Sequence, residues 1–169
     1  MLNPSPMATP QQQQSSILRH RSKQFGLIML TLLLTVACET EKDRIPNMPV
    51  FLKRNVNQID LLSPGKYYYI ATPTLSSDRL GFGGLVLAYC YDELEPYCAF
   101  DLACPYCATA TIQVSEPDSM LVCTCPNCNE RYDLFYGMGI PLEGISKWPL
   151  KKYSAYIDPG NSLYIVVSP

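Results

Sequence analysis

The stretch CPYCATATIQVSEPDSMLVCTCPNC, from Cys104 to Cys128, contains two Cys-Pro-x-Cys motifs with 17 residues between them. Two cysteines that flank two residues of a tight turn direct both sulfurs to the same side, and the proline after the first cysteine stiffens the turn. Two such turns on neighbouring loops can place four thiolates around one metal ion, as a structural zinc site requires. The spacing is typical of four-cysteine metal sites. It therefore predicts a metal site whose ligands are Cys104, Cys107, Cys125 and Cys128.

Disulfide bonds are the alternative use of these four cysteines. In an exported protein the bonds could form within each motif or between the two motifs, because the compartment is oxidising. Catalysis of thiol–disulfide exchange is a further alternative, but it normally uses a Cys-x-x-Cys motif that opens a helix and so lowers the pKa of one thiol. No helical pattern follows either motif. The sequence favours a metal over disulfides.

Short apolar segments alternate with turn-forming segments through most of the chain after residue 48. The apolar segments are rich in residue types that favour strands, and no stretch of a dozen residues shows helical periodicity. The turns Asp92–Pro96 and Asp158–Asn161 should each join two strands as a hairpin. The pattern predicts an all-β domain at residues 49–169, with strands at Val50–Val56, Lys66–Ala71, Gly84–Tyr91, Tyr97–Phe100, Thr109–Val114, Met120–Thr124, Pro149–Ile157 and Leu163–Val167.

Three further cysteines follow residue 38 and lie outside the two motifs. Cys90 and Cys98 lie on the two arms of the predicted hairpin around Asp92–Pro96, where they could face each other. A disulfide between them would suit an exported protein. The alternative is that both residues, like Cys123, are small buried apolar side chains.

The first 37 residues have the pattern of a secretory signal peptide. Arg19, Arg21 and Lys23 precede the apolar run Phe25–Ala37, which has 13 residues where a membrane-spanning helix needs about 20. The ending LLTVAC resembles the lipobox of bacterial lipoproteins, which implies that Cys38 carries a lipid; an unmodified Cys38 after an ordinary signal peptide is the alternative. We therefore expect a signal peptide at 1–37, a lipidated tether at 38–48 and the β-domain. Such a protein would be membrane-anchored through its lipid on the outer membrane, the periplasmic face or the cell surface.

The composition argues against several functional classes. Three of the 13 Lys and Arg residues and none of the 15 Asp and Glu residues precede residue 38, so the remaining chain has a formal charge of −5. It has no basic block, and nucleic-acid binding is not expected. The only histidine, His20, lies in the predicted signal peptide, which excludes a Ser-His-Asp triad from the mature chain. The Gly81–Gly84 segment (GFGG) is interpreted as a turn and not as a phosphate loop, because a strand should follow it. No catalytic residue is predicted.

The region around and after the cysteine motifs resembles the Rieske fold. The segment YCAFDLACPYC matches the first cluster-binding loop of that family, and the segment from Cys125 to Val167 matches the second loop and the strands that follow it. The resemblance implies an antiparallel β-sandwich in which two cysteine-bearing loops form the tip. The matching positions are Ala99, Phe100, Asp101, Cys104, Cys125, Pro126, Arg131, Tyr132, Asp133, Gly137, Gly144, Pro149, Leu150 and Tyr153.

The chain departs from the Rieske pattern in its ligands. A Rieske [2Fe–2S] centre uses two cysteines on one iron and two histidines on the other, but Cys107 and Cys128 stand at the histidine positions here. A histidine-ligated cluster is therefore excluded. Zinc bound by four thiolates is favoured, because zinc tolerates an oxidising compartment and two symmetric motifs suit one ion; an all-cysteine [2Fe–2S] cluster or a single iron is the alternative.

These observations predict a non-enzymatic structural or binding module with a zinc ion. The competing interpretation is an electron-transfer protein with an iron centre and an unidentified redox partner. The third is a metal-free domain that is cross-linked by disulfide bonds.

Overall fold

The structure, a computed structural model, describes residues 44–169, which form ten β-strands. Among these residues no helix is long and apolar enough to cross a membrane. The predicted signal peptide, the lipidation site Cys38 and residues 38–43 of the tether lie outside the described residues. The strands are β1 Val50–Asn55, β2 Tyr67–Ile70, β3 Arg79–Leu80, β4 Leu85–Tyr89, β5 Tyr97–Asp101, β6 Val122–Thr124, β7 Arg131–Asp133, β8 Ile140–Pro141, β9 Lys152–Ile157 and β10 Tyr164–Ser168. The predicted all-β class is confirmed.

Seven strands form one antiparallel sheet in the order β2-β4-β5-β9-β10-β1-β3, and the other three form a small sheet in the order β6-β7-β8. One face of all seven strands of the large sheet contributes to a single hydrophobic core, so the sheet curls round on itself. We call this core the strand-enclosed core; its buried members are Val50, Leu52, Val56, Leu61, Ile70, Leu80, Leu85, Leu87, Ala99, Tyr153, Ile165 and Val167.

The small sheet covers the outer face of β4 and β5, and a second core lies between them. We call it the cysteine-side core. Its buried members are Val86, Ala88, Cys90, Cys98, Phe100, Leu102, Cys104, Val114, Leu121, Cys123, Cys125, Tyr132, Leu134 and Leu150, and Cys107 and Cys128 pack against it half-buried.

Strand β4 is therefore a wall between the two cores. Alternate side chains of a strand point to opposite faces, so Leu85 and Leu87 enter the strand-enclosed core while Val86 and Ala88 enter the cysteine-side core. Burial on both faces explains why the segment LVLA is continuously apolar instead of alternating with polar residues.

Both predicted hairpins are confirmed. Strands β4 and β5 pair from Leu85 with Asp101 to Tyr89 with Tyr97, and β9 pairs with β10. An aspartate stabilises each connecting turn, as is typical of this residue. Asp92 accepts a hydrogen bond from the Leu94 N–H at 2.9 Å, and Asp158 accepts one from the Gly160 N–H at 2.9 Å.

The predicted strand at Thr109–Val114 is wrong. Its β-branched residues suggested a strand, but the segment leaves the first cysteine turn irregularly and forms only one isolated bridge, from Gln113 to Ala103. Three strands were not predicted. β3 and β8 have two residues each, and β7, with the sequence RYD, has one apolar residue between two charged ones. The arrangement of two packed sheets with both cysteine motifs on adjacent loops agrees with what the Rieske resemblance implies.

Candidate metal centre

The two Cys-Pro-x-Cys motifs form matching turns. In the first, which follows β5, the Ala108 N–H donates to the carbonyl oxygen of Cys104 at 2.8 Å. In the second, between β6 and β7, the Asn129 N–H donates to the carbonyl oxygen of Cys125 at 2.9 Å. The same bond over the same spacing gives both turns the geometry in which two sulfurs point to one side.

The residue after each motif has a left-handed backbone. Ala108 has a φ of 52° and Asn129 a φ of 60°. Asparagine visits this region far more readily than alanine, whose Cβ approaches its own carbonyl oxygen there at a cost of about 1–2 kcal/mol. The first turn is therefore strained where the second is not.

The four predicted ligands lie together. The sulfur atoms of Cys104, Cys107, Cys125 and Cys128 all lie within 4.8 Å of one another. Cys104 and Cys128 are separated by 3.6 Å between sulfurs, and Cys107 and Cys125 by 3.8 Å. Four thiolates about 2.3 Å from one ion would form a tetrahedron whose edge is about 3.8 Å. The four cysteines could therefore hold a metal ion.

Two side chains donate hydrogen bonds towards these sulfurs. The hydroxyl of Tyr132, which is completely buried on β7, lies 3.4 Å from the Cys104 sulfur. The Asn127 amide nitrogen, inside the second motif, donates to the Cys107 sulfur of the first motif at 3.4 Å. Donors of this kind stabilise thiolate charge and fix the direction in which the sulfurs point. Neither role was predicted, although Tyr132 belongs to the Rieske-like pattern.

The thiols differ in pKa. Burial alone would raise the pKa of Cys104, but hydrogen bonds from Tyr132, from the Cys107 N–H and from the thiols of Cys125 and Cys128 lower it below its ordinary value. Burial raises the pKa of both Cys125 and Cys128. Burial, and then the neighbouring Cys104, also raises the pKa of Tyr132, so its hydroxyl keeps its proton and acts as a donor. Of these three thiols Cys104 therefore loses its proton most readily, and metal binding would have to displace the protons that the others keep.

Asp101, at the end of β5, fixes the root of the first cysteine loop. It is completely buried and accepts four hydrogen bonds: from the N–H groups of Phe82, Gly83 and Ala103, at 2.7, 2.9 and 2.8 Å, and from the Tyr153 hydroxyl at 2.8 Å. A Cβ atom at Gly83 would collide with the Ala103 backbone, so only glycine allows this close approach. The GFGG segment is thus a turn that precedes β4, as interpreted from the sequence.

Glu130 links the second motif to the loop after β8. The residue is buried, one carboxylate oxygen accepts a hydrogen bond from the Ile145 N–H, and the other oxygen has no hydrogen-bond partner. A Cβ atom at Gly144 would overlap this carboxylate, so a glycine is needed there for close packing. Nothing in the sequence indicates this contact, because a charged residue beside a loop is usually exposed.

The other cysteines lie apart from the quartet. The structure joins Cys90 to Cys98 as a disulfide, with Cα atoms 6.4 Å apart across the β4–β5 hairpin. Cys123 on β6 is a free, buried thiol, and burial raises its pKa to about 12. Such a thiol behaves as a small apolar residue.

The acidic residues of the β4–β5 turn form no site. Asp92 caps the turn, and Glu95 pairs with Lys152 at 3.4 Å on the surface. Two further lysines follow the second motif: Lys147 is exposed, and Lys151 donates to the carbonyl oxygen of Ile45 at 3.1 Å.

Comparisons with known proteins give similarities in solved structures only. No family model matches the chain, and no curated protein matches it. The chain is similar to the ferredoxin of carbazole 1,9a-dioxygenase from Nocardioides aromaticivorans IC177, with 17% identity over 72% of this chain and 97% of that one, and a TM-score of 0.43. It is also similar to a protein described as an NADH-dependent nitrite reductase small subunit from Mycobacterium tuberculosis, with 16% identity over 72% and 96% of the two chains and a TM-score of 0.41.

Proposed function

We propose that the chain is an exported lipoprotein whose four cysteines bind one zinc ion, and that it acts as a non-enzymatic structural or binding module. The main support for a metal site is the clustering of the four sulfurs within 4.8 Å of one another. The ligands would be Cys104, Cys107, Cys125 and Cys128. The lipid would be carried by Cys38.

The spacing of the sulfurs supports one ion over a two-iron cluster. In a [2Fe–2S] cluster the two cysteines of each iron are separated from the other pair by two metals and their bridging sulfides. Whichever way the four sulfurs are paired, that arrangement needs wider gaps between the pairs than are found here, because all four sulfurs lie within 4.8 Å of one another. This clustering is the reason for proposing one ion.

A structural role follows from where the ligands lie. A tetrahedral ion with four protein ligands has no open position for a substrate or water. Each motif supplies two ligands, so the ion would join the loop after β5 to the loop between β6 and β7. Both loops cover the cysteine-side core, and the ion would hold this cover in place.

A single iron with a role in electron transfer is the second candidate. A lone iron accepts the same four-thiolate geometry, and the donors Tyr132 and Asn127 are of the kind that tune the reduction potential of an iron–sulfur site. Those two hydrogen bonds, at 3.4 Å each, are the observation that favours it. Export through an oxidising compartment favours zinc.

Metal analysis with a visible spectrum separates these candidates. The processed chain would be purified without chelator and under low oxygen, and its zinc and iron measured by mass spectrometry. One zinc per chain with no visible absorption supports the proposal, whereas iron with charge-transfer bands replaces it with electron transfer. A chain with neither metal and no titratable thiols in the quartet would leave only disulfides. The Cys123→Ala variant is the matched control, because Cys123 lies in the same core outside the quartet.

The lipid anchor needs its own test. Expression of the full chain in a bacterial host with labelled fatty acid should label the wild type and not the Cys38→Ala variant. Label in both would place the lipid elsewhere, and label in neither would contradict the anchor while leaving the metal proposal untouched.

A further inference from the structure

The N-terminal end of the described chain lies against the first cysteine turn. The Arg44 guanidinium donates to the carbonyl oxygen of Tyr106, between the two cysteines of that motif, at 3.1 Å. It also stacks on the ring of Trp148, 4.2 Å from the ring centroid. Ile45 is buried, and its carbonyl oxygen accepts a hydrogen bond from Lys151. The chain therefore enters the domain at the tip that carries the cysteines.

The proposed lipid site is only six residues before this point. Six residues span at most about 22 Å when fully extended. A domain of 126 residues has a radius of gyration of about 14 Å, hence a diameter of roughly 35 Å. A lipid on Cys38 could therefore reach a bilayer beside the tip but not one at the opposite end of the domain.

The loop after β8, which leads to Trp148, has the composition of a membrane-interface site, and its one acidic residue, Glu143, pairs with Arg131 at 3.0 Å. In the loop after β8, Ile145 is 62% exposed and Leu142 is 46% exposed, and Lys147 is also exposed. Trp148 follows, half-buried beneath Arg44. Tryptophan favours the headgroup region, apolar side chains enter the acyl boundary, and basic residues meet anionic headgroups.

We propose that this tip surface, formed by Arg44, Leu142, Ile145, Lys147 and Trp148, rests on the lipid bilayer that holds the acyl chain of Cys38. The inference depends on the proposed lipidation. It adds an orientation: the cysteine motifs face the membrane, and the β4–β5 hairpin at the other end of β5 points away from it.

Trp148 provides the measurement, because it is the only tryptophan in the chain. The full, lipid-modified chain would be reconstituted in vesicles of phosphatidylethanolamine and phosphatidylglycerol, with and without lipid that carries a doxyl quencher in its acyl chain. If the tip surface contacts the boundary of headgroups and acyl chains, the quencher should lower Trp148 emission roughly twofold.

Matched variants locate the contact. The double variant Leu142→Gln/Ile145→Gln should lose most of the quenching, because two exposed apolar side chains no longer enter the lipid. Leu94→Gln is the control; Leu94 is 93% exposed in the β4–β5 hairpin, at the opposite end of β5 from the cysteine motif. It should leave quenching unchanged. Metal content and the circular dichroism spectrum verify that each variant is folded.

The outcomes separate this inference from its premise. Chains that float with the vesicles but show no quenching of Trp148 would overturn the orientation and leave the lipid anchor standing. Chains that neither float nor carry acyl mass would overturn the anchor and the orientation together. Shielding of Trp148 from aqueous iodide by a co-purified protein, without quenching by lipid, would assign the tip surface to a protein partner and overturn the proposal.

Discussion

The two cores on either side of β4 are built differently. The strand-enclosed core is surrounded by seven strands, and none of the cysteines among residues 44–169 belongs to it. The cysteine-side core contains or contacts all seven of them. One core is closed by hydrogen-bonded strands, and the other is covered by a three-stranded sheet and loops.

This difference shows where cross-links are needed. A ladder of paired strands satisfies its own backbone groups and holds its side chains in place. The loops over the cysteine-side core are joined by turn bonds and single backbone hydrogen bonds instead of a continuous ladder, and the Cys90–Cys98 bond and the quartet lie where the ladder is missing or ends. The disulfide and the proposed metal site would thus add to the backbone bonds on this side of the molecule, and each prediction below tests one side against the other.

The largest effect should come from the quartet. Cys128→Ser removes one of four ligands, so the chain should lose its metal and at least about 4 kcal/mol of stability, as is typical when a metal site is lost. Metal content and thermal unfolding measure this. Cys123→Ala should keep the metal. Full metal content and an unchanged melting temperature in Cys128→Ser would show that the ligand assignment is wrong.

Removal of the disulfide should have a smaller effect. The Cys90→Ala/Cys98→Ala variant opens a loop with a sequence separation of 8, and the chain-entropy relation gives a loss of about 2–3 kcal/mol. Denaturant unfolding checks the value, and metal content should remain at the wild-type level. A loss of metal in this variant would mean that the two sulfur sites depend on each other.

Acid should weaken the strand-enclosed core through one ion pair. Asp78 is buried and pairs with Arg54 on β1 at 2.6 Å. Burial alone would raise its pKa, but the Arg54 guanidinium and the N–H groups of Leu75 and Thr74 together lower the pKa to about 2. A lowered pKa stabilises the fold above pH 4, and that contribution, about 2 kcal/mol, is lost as the pH falls towards 2.

Asp78→Asn is the comparison for this pH dependence. The gap in unfolding free energy between wild type and variant should be widest at pH 7 and should shrink between pH 4 and pH 2. Protonation of the metal ligands should affect both proteins equally, so its effect cancels in the difference between their unfolding free energies. If the gap stays constant over this range, titration of Asp78 does not cause the loss of stability in acid.

The smallest effect should distinguish the two cysteine turns. Ala108→Gly relieves the left-handed strain and should stabilise the metal-loaded chain by about 0.5–1 kcal/mol, after allowance for the greater freedom of glycine when unfolded. Asn129→Gly should change stability little. The denaturant midpoints of the two variants at saturating zinc test these expectations. Equal changes in stability at the two positions would show that the first turn is not more strained than the second.

The strand-enclosed core was the easier side to predict. Its strands have β-branched and aromatic residues between clear turn signals, and six of its seven strands overlap predicted ones, all except the two-residue β3. The wrong strand and two of the three missed strands lie on the cysteine side. There the chain direction is set by turns, by backbone bonds to loops and by metal-ligand spacing, so local composition says little.

The clustering of the four cysteines was predictable and its surroundings were not. Spacing alone identified the four cysteines, because two tight turns impose a fixed pattern on the sequence. Tyr132, Asn127 and Glu130 acquire their roles from contacts between segments that the sequence does not place side by side. Of the two left-handed residues, Asn129 could have been noticed, since asparagine after a tight turn is a common sign of that conformation, whereas alanine at position 108 is not.

Strand β4 has a consequence for hydrogen exchange. Its amides pair with β2 on one side and with β5 on the other, and its side chains are shared by both cores. Removal of metal should open the amides of β6 and β7 to deuterium first, because those strands belong to the cover. The amides of β4 should exchange only when the whole domain unfolds. The exchange rate of a peptide from β4 therefore reports global unfolding, and faster exchange in β6 and β7 measures local opening of the tip.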